Sequence, residues 1–218
     1  MKLDNKFRPT PGQKELVQSI WANDITVVSG AAGVGKTLMT LQTFLDLMEH
    51  RHIQKIVCIR LISDTCEEHL GALPGGKDEK LSPFLAPVVD NLKQLMKPGE
   101  INYLIEHEKI EVVPVSHVRG RTFVDCGVLV DEVQNMTNHM VLSILTRIGE
   151  RSRMVLCGDP EQVDIPNRNG INYAQRLLDG LKGTGSIYLD DSNIMRHPLI
   201  AGILQRDREI KSTLRLVA

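Results

Sequence analysis

The sequence predicts an α/β fold, a single domain built on a parallel sheet with helices packed against it. Three observations lead there. Apolar, β-branched runs recur along the chain, as strands buried on both faces do. Stretches with apolar residues at helical spacing stand between several of them. The segment Gly30-Ala31-Ala32-Gly33-Val34-Gly35-Lys36-Thr37 fits the pattern G-x-x-x-x-G-K-[ST], a phosphate-binding loop that joins a strand to a helix. The chain has 218 residues, 42% of them hydrophobic, which is enough for one well-buried domain and cramped for two.

A polar lead-in covers residues 1–9, and Thr10 then caps a helix with Pro11 at its first position. Leu16, Val17, Ile20 and Trp21 form its inward stripe, with Trp21 read as core. Residues 25–29 are the strand entering the loop, and 36–48 the helix leaving it, with Leu38, Leu41, Leu45 and Met48 on one side. Strand two is 55–60, after an exposed turn at 50–52. The stretch 67–78, rich in glycine, proline and charge, reads as a long surface loop. Helices are expected over 83–96 and 100–107, and strands three and four at 110–115 and 127–130. A helix over 138–148 leads to strand five at 153–157. The last strand is 186–189, followed by a closing helix from Leu199 to about Lys211 within the tail 199–218.

The chemistry gathers at strand ends. Three glycines let the loop curl so that backbone N–H groups and the following helix N-terminus face an anionic polyphosphate. Lys36 would reach the outer phosphates and Thr37 would ligate magnesium. Strand four delivers Asp131 and Glu132 to its carboxyl end, the Walker B arrangement, in which Asp131 holds the metal through water and Glu132 orients or deprotonates the attacking water. Strand five ends in Gly158-Asp159-Pro160-Glu161-Gln162. Gln162 is there to sense the γ-phosphate, or else the cluster is a plain Asp-Pro turn. Gln13 either closes a capping box with Thr10 or reads adenine. Arg60, at the end of strand two, either faces phosphate or nucleic acid or is a solvated strand end. Arg119 and Arg121 flank Gly120 in a basic turn, a phosphate clasp or a solvated loop, whose tight geometry would aim both guanidiniums outward.

Composition narrows the surroundings. The formal net charge is -1, so any nucleic-acid site must be a local patch. The four cysteines, Cys58, Cys66, Cys126 and Cys157, lack C-x-x-C spacing and read as reduced structural thiols. No apolar run approaches membrane-spanning length and the polar start has no signal-peptide core, so a cytoplasmic protein with no membrane partner is expected.

With these pieces located, the chain resembles the PhoH-like family, phosphate-starvation-inducible ATPases related to superfamily 1 helicases. The resemblance runs from about Gln13 to His197. It rests on the phosphate loop, Leu70-Gly71-Ala72-Leu73-Pro74-Gly75, Arg119-Gly120-Arg121-Thr122 and Asp131-Glu132-Val133-Gln134-Asn135, with Leu145-Thr146-Arg147-Ile148-Gly149, Gly158-Asp159-Pro160-Glu161-Gln162-Val163-Asp164 and Arg196-His197-Pro198. Leu61 stands where the family tends to have proline, and Val133 where alanine is usual. The resemblance implies a single RecA-like domain with the nucleotide at the carboxyl edge of its sheet, Mg-dependent ATP hydrolysis, and a link to single-stranded RNA or DNA. Helicases of this superfamily place an arginine after the last core strand beside the γ-phosphate, and Arg196 stands in a similar place. They also close the nucleotide cleft with a second motor domain, for which this chain has no room. A neighbouring subunit is therefore expected to supply the other wall in a homo-oligomer, a hexamer by resemblance, with Arg119, Arg121 or Arg147 acting in trans or on nucleic acid. The rival reading is an ATP-controlled protein-binding switch with no nucleic-acid partner.

Overall fold

The computed structural model describes residues 8–61, 77–165 and 169–194, with isolated positions between 199 and 210. In chain order the elements are α1 (Pro11–Ala22), β1 (Ile25–Gly30), α2 (Lys36–Glu49), β2 (Lys55–Arg60), α3 (Lys77–Leu92), α4 (Pro98–Glu106), β3 (Ile110–Pro114), β4 (Cys126–Val130), α5 (Asn138–Leu145), β5 (Arg153–Gly158), α6 (Gly170–Leu178) and β6 (Thr184–Leu189). The strands form one six-stranded sheet in the order β3-β2-β4-β5-β1-β6, and every pairing is parallel. This is the α/β sheet the sequence predicts. All carboxyl ends lie along one edge, where open sheets of this kind bind ligands.

Successive strand residues point to opposite faces, and the core divides accordingly. Val28, Ile56, Cys58, Leu129, Val155 and Cys157 pack with α1, α2, α3 and α4. Val27, Val57, Ile59, Val128, Val130, Met154 and Leu156 pack with α5 and α6. Both faces are covered, which is why the strands read as continuous apolar runs. Glycine at 127 is a packing requirement, because a Cβ there would come within 2.7 Å of the Phe44 ring.

Several expectations shift. The helix expected over 83–96 is α3, which begins earlier, at Lys77 within the stretch 67–78 expected as a surface loop, and ends at Leu92. Residues 93–96 form a turn, and Lys97 is extended at φ -75° and ψ 150°, as the residue before Pro98 should be, so the helix cannot run on into α4. Helix α5 stops at Leu145 rather than at 148, since Ile148 leaves it to form a parallel bridge with Phe123. Helix α6 was not anticipated at all. Its signal was present in Asn169, whose side chain caps the Asn172 N–H at 3.2 Å, and in the buried spacing Ile171, Ala174, Leu178. Trp21 is not core: it is 37% exposed and stands edge-on to His50 and His52. The segment 70–75, Cys66 and Arg196 lie outside the described residues. So does most of the expected closing helix, of which positions 199, 202, 203, 205, 206, 209 and 210 are helical.

Candidate nucleotide-binding site

Strand β1 runs into the glycine loop at the carboxyl edge, between β5 and β6. Gly33 and Gly35 both have φ of 87°, the left-handed region that glycine enters without strain. Gly35 is the N-cap of α2 and supplies no side-chain cap to the helix's first N–H groups, the kind of helix start at which anions bind. Ala31 and Val34 are buried and seat the loop on the core, leaving Ala32, Gly33, Lys36 and Thr37 partly exposed. The Lys36 ammonium donates to the carbonyl oxygens of Gly30 at 2.6 Å and Ala31 at 2.9 Å. Burial lowers its pKa, opposed by the nearby Asp159, Asp131 and Glu132.

Gln13 lies beneath this loop and is fully buried. Its Oε1 accepts from the Thr10 N–H at 3.0 Å, and Thr10 Oγ1 accepts from the Gln13 N–H at 3.3 Å. Those two bonds make the capping box. Its Nε2 also donates to the Val34 carbonyl at 2.9 Å, so the same amide fixes α1 to the phosphate loop.

Strand β4, two places from β1 with β5 between them, brings up the acids. Thr37 Oγ1 donates to Asp131 Oδ1 at 3.3 Å, which joins the loop helix to the acid strand. Burial raises the Asp131 carboxyl, and the Arg60 guanidinium opposes it. This assigns Arg60 a neighbour: its charge acts on Asp131 from the adjacent strand β2. Glu132 takes a left-handed conformation, φ 56° and ψ 39°, uncommon for a residue with a side chain and frequent at functional sites. The chain thereby leaves the sheet and enters the 3-10 turn Val133–Asn135.

That turn holds a residue the sequence reading passed over. Gln134 is 1% exposed. Its Nε2 donates to Glu132 Oε2 at 2.6 Å and its Oε1 accepts from the Asp159 N–H at 3.1 Å. One amide therefore orients the Glu132 carboxylate and anchors the end of β5. Its adjacency to the acid pair in sequence was the available signal, but the second bond crosses 25 residues. Asp159 Oδ1 accepts from the Glu161 N–H at 2.9 Å, and the Asp159 carbonyl from the Gln162 N–H at 3.2 Å. The Asp-Pro turn is thus present, and it carries the exposed Gln162 at the carboxyl edge.

The remaining arginines divide. Arg119 is exposed. Arg121 does not aim outward as expected: it makes a bidentate pair with Glu111 at 2.7 and 3.0 Å and lies over the Phe123 ring, 5.3 Å from its centroid. Lys55 shares the same carboxylate at 3.1 Å. Burial alone would raise Glu111, but the hydrogen bonds from Arg121 and Lys55 hold it below the ordinary carboxylate value. Lys55 begins β2, so this cluster lies toward the amino half of the sheet, away from the phosphate loop. Arg147 is partly buried, with Nη2 donating to Thr146 Oγ1 at 3.3 Å. The two basic segments are stitched together, the Phe123 N–H donating to the Arg147 carbonyl at 2.9 Å and the Gly149 N–H to the Phe123 carbonyl at 2.7 Å. A Cβ on Gly149 would sit 2.6 Å from that carbonyl, so the Leu145–Gly149 motif keeps its glycine for this contact.

The residues fit a nucleoside triphosphate with a hard cation. The loop offers backbone N–H groups and an ammonium, and Thr37 with Asp131 offers oxygen ligands of the kind magnesium takes. Among the described residues no group of three or more His, Cys, Asp or Glu could hold a metal ion. Among the described residues no helix is long and apolar enough to cross a membrane.

Comparison with known proteins gives relatives of one kind among those that follow. A "PhoH-like protein" of Bacillus subtilis is 36% identical over 198 residues, 90% of this chain and 62% of that protein. One of Synechocystis is 34% identical over 203 residues, 92% of this chain and 62% of that protein. "Protein PhoH2" of Bacillus subtilis is 38% identical over 195 residues, 84% of this chain and 44% of that protein. The chain thus spans under two thirds of the length of these relatives. The crystal structure of Pif1 helicase from Candida albicans resembles it at a TM-score of 0.45 and 12% identity, over 85% of this chain and 40% of that one, too loosely to bear on function. A family model described as PhoH-like protein matches residues 7–206, nearly the whole chain with the loop, the acid pair and the β5 turn inside it, and the chain belongs to that family.

Proposed function

We propose that this domain is a Mg-dependent ATPase. The observation that carries the reading is the meeting of Thr37 Oγ1 with Asp131 Oδ1 at 3.3 Å, beside a Glu132 carboxylate held by Gln134 at 2.6 Å. Phosphoryl transfer requires positioning and charge neutralisation more than covalent chemistry from the protein. Lys36 and the backbone N–H groups of residues 30–37 bind and orient the phosphates. Thr37 and Asp131 hold the magnesium, which when bound neutralises phosphate charge. Glu132 orients the attacking water and accepts its proton, with Gln134 fixing the carboxylate's direction. Gln162 senses the γ-phosphate, and Arg196 is proposed to stand beside it. Gln13 steadies the loop through Val34, and an adenine contact by its amide would be a second duty.

Hydrolysis is proposed to be coupled to single-stranded RNA or DNA within a homo-oligomer, a hexamer in the family's manner, in the cytoplasm. Arg119 is the leading candidate for nucleic acid or for a neighbour's nucleotide because its side chain is exposed. Arg121, engaged by Glu111, would have to exchange partners first. Arg147 and Arg60 remain secondary candidates. The near-neutral net charge of -1 favours the rival, an ATP-controlled protein-binding switch. Glu132→Gln separates the chemistry from binding. The variant should bind a fluorescent ATP analogue like the parent while turnover falls on the order of 100-fold or more. Turnover at the parental rate would remove Glu132 from the role.

A further inference from the structure

The turn that follows the Walker B acid holds the segment after β5 at two points, Asp159 and Asp164. Its two consecutive polar residues each reach across. Gln134 accepts from the N–H of Asp159, the loop's first residue. Asn135 makes a reciprocal pair with Asp164, five residues further along: Asn135 Nδ2 donates to Asp164 Oδ2 at 3.0 Å, and the Asp164 N–H donates to Asn135 Oδ1 at 2.9 Å. Asn135 is buried and Asp164 exposed, so the pair forms at the rim of the core. Between the pins stands Gln162, whose own N–H closes the turn on the Asp159 carbonyl. Pinned at one end only, such a surface segment would sample many conformers, and an exposed glutamine on it would hold no fixed direction.

We infer that Asn135 and Asp164 are positioning residues, a latch that joins the Glu132 turn to the Gln162 loop and sets the distance between the water-orienting and phosphate-sensing side chains. The role rests on the ATPase reading above. Its chemistry is directional. Asn135 must present a donor to the Asp164 carboxylate and an acceptor to the Asp164 N–H at once, which an amide does and a carboxylate does not. An aspartate at 135 would set two carboxylates against each other. An asparagine at 164 keeps an oxygen for Asn135 Nδ2. When both are exchanged, the carboxylate at 135 accepts from the backbone and from the new side-chain amide, and the latch closes with its polarity reversed.

The test compares Asn135→Asp, Asp164→Asn, Asp164→Ala and the exchange Asn135→Asp/Asp164→Asn. Misplacing a catalytic group by about an ångström costs up to about 100-fold. Asn135→Asp and Asp164→Ala should therefore lower kcat about 10- to 100-fold with KM for ATP within twofold, while Asp164→Asn and the double exchange stay near the parent. Hydrogen exchange supplies a readout that needs no turnover: the amides of residues 159 and 161–164 should lose protection in Asp164→Ala and keep it in the double exchange. Unchanged exchange in Asp164→Ala overturns the latch, as does a double exchange no better than Asn135→Asp. Because Asp164 is exposed, its alanine variant keeps the fold available if Asn135→Asp does not fold. A parent without ATPase activity would instead defeat the parent reading, and the exchange experiment would still decide the latch.

Discussion

Gly170→Ala should lower both stability and turnover although the residue touches no substrate. Gly170 opens α6, and its missing side chain is a close-approach requirement. A Cβ there would stand 2.5 Å from the Val133 carbonyl oxygen, 2.9 Å from that of Met136 and 2.8 Å from Val141 Cγ2. Ordinary Cβ contacts begin near 3.4 Å, so the Val133–Asn135 turn or the start of α6 must retreat by almost an ångström. Two of the three obstacles are backbone, with little freedom to yield. Helix propensity works the other way, since alanine is better than glycine by at most about 1 kcal/mol. Overpacking of a well-filled site costs about 1–3 kcal/mol, so the net expectation is a loss of about 1–2 kcal/mol. The displaced turn is the one that carries Gln134, so the 2.6 Å bond orienting Glu132 is disturbed with it. Turnover should fall about 10-fold or more, with ATP binding nearly intact. Chemical denaturation and steady-state kinetics on the same preparation measure both. A variant at least as stable as the parent, with unchanged kcat, would refute the claim that this turn transmits packing to the site.

Lys36→Ala should abolish ATP binding or turnover, because it removes the cation proposed to hold the phosphates, and a binding titration and turnover both equal to the parent's would sink that assignment. Arg121→Ala tests the Glu111 cluster. A carboxyl held below its ordinary value adds stability above about pH 4.3 that is lost as pH falls through the folded value, so the variant should be about 1 kcal/mol less stable near neutrality, and the gap should narrow in strong acid to what the lost packing on Phe123 costs. A gap that widens on acidification would contradict the sign. Single-stranded RNA or DNA should stimulate ATPase activity and lose that effect as salt rises, and Arg119→Ala should reduce the logarithmic salt slope by about 1. No response to any polymer would favour the protein-switch reading. Burial pushes the Cys58 thiol up to about 12 and Cys157 higher still, so neither should react with a thiol reagent at pH 8 until the protein unfolds.

Local patterns determined much of this protein. Glycine spacing, the lysine and threonine after it, and two acids ending an apolar run are short-range signals, because a phosphate loop and a strand end are each made by consecutive residues. The sheet's class was legible for the same reason, since strands buried on both faces are written in continuous apolar residues. Tertiary structure decided which ends meet. The order that sets β5 between β1 and β4 brings Thr37 to Asp131 across 94 residues, and no local pattern encodes that pairing. Gln13 could be read as a cap or an adenine reader from sequence, but only packing shows it bonded to Val34 under the loop. Arg121 looked like an outward charge until β3 supplied Glu111, ten residues back along a chain that turns in between. Gln134 and Asn135 were letters after an acid pair, and became the clamp and the latch only when β5 ended beside them. Polar side chains find partners wherever the fold delivers a free donor or acceptor, and the sheet topology delivers them.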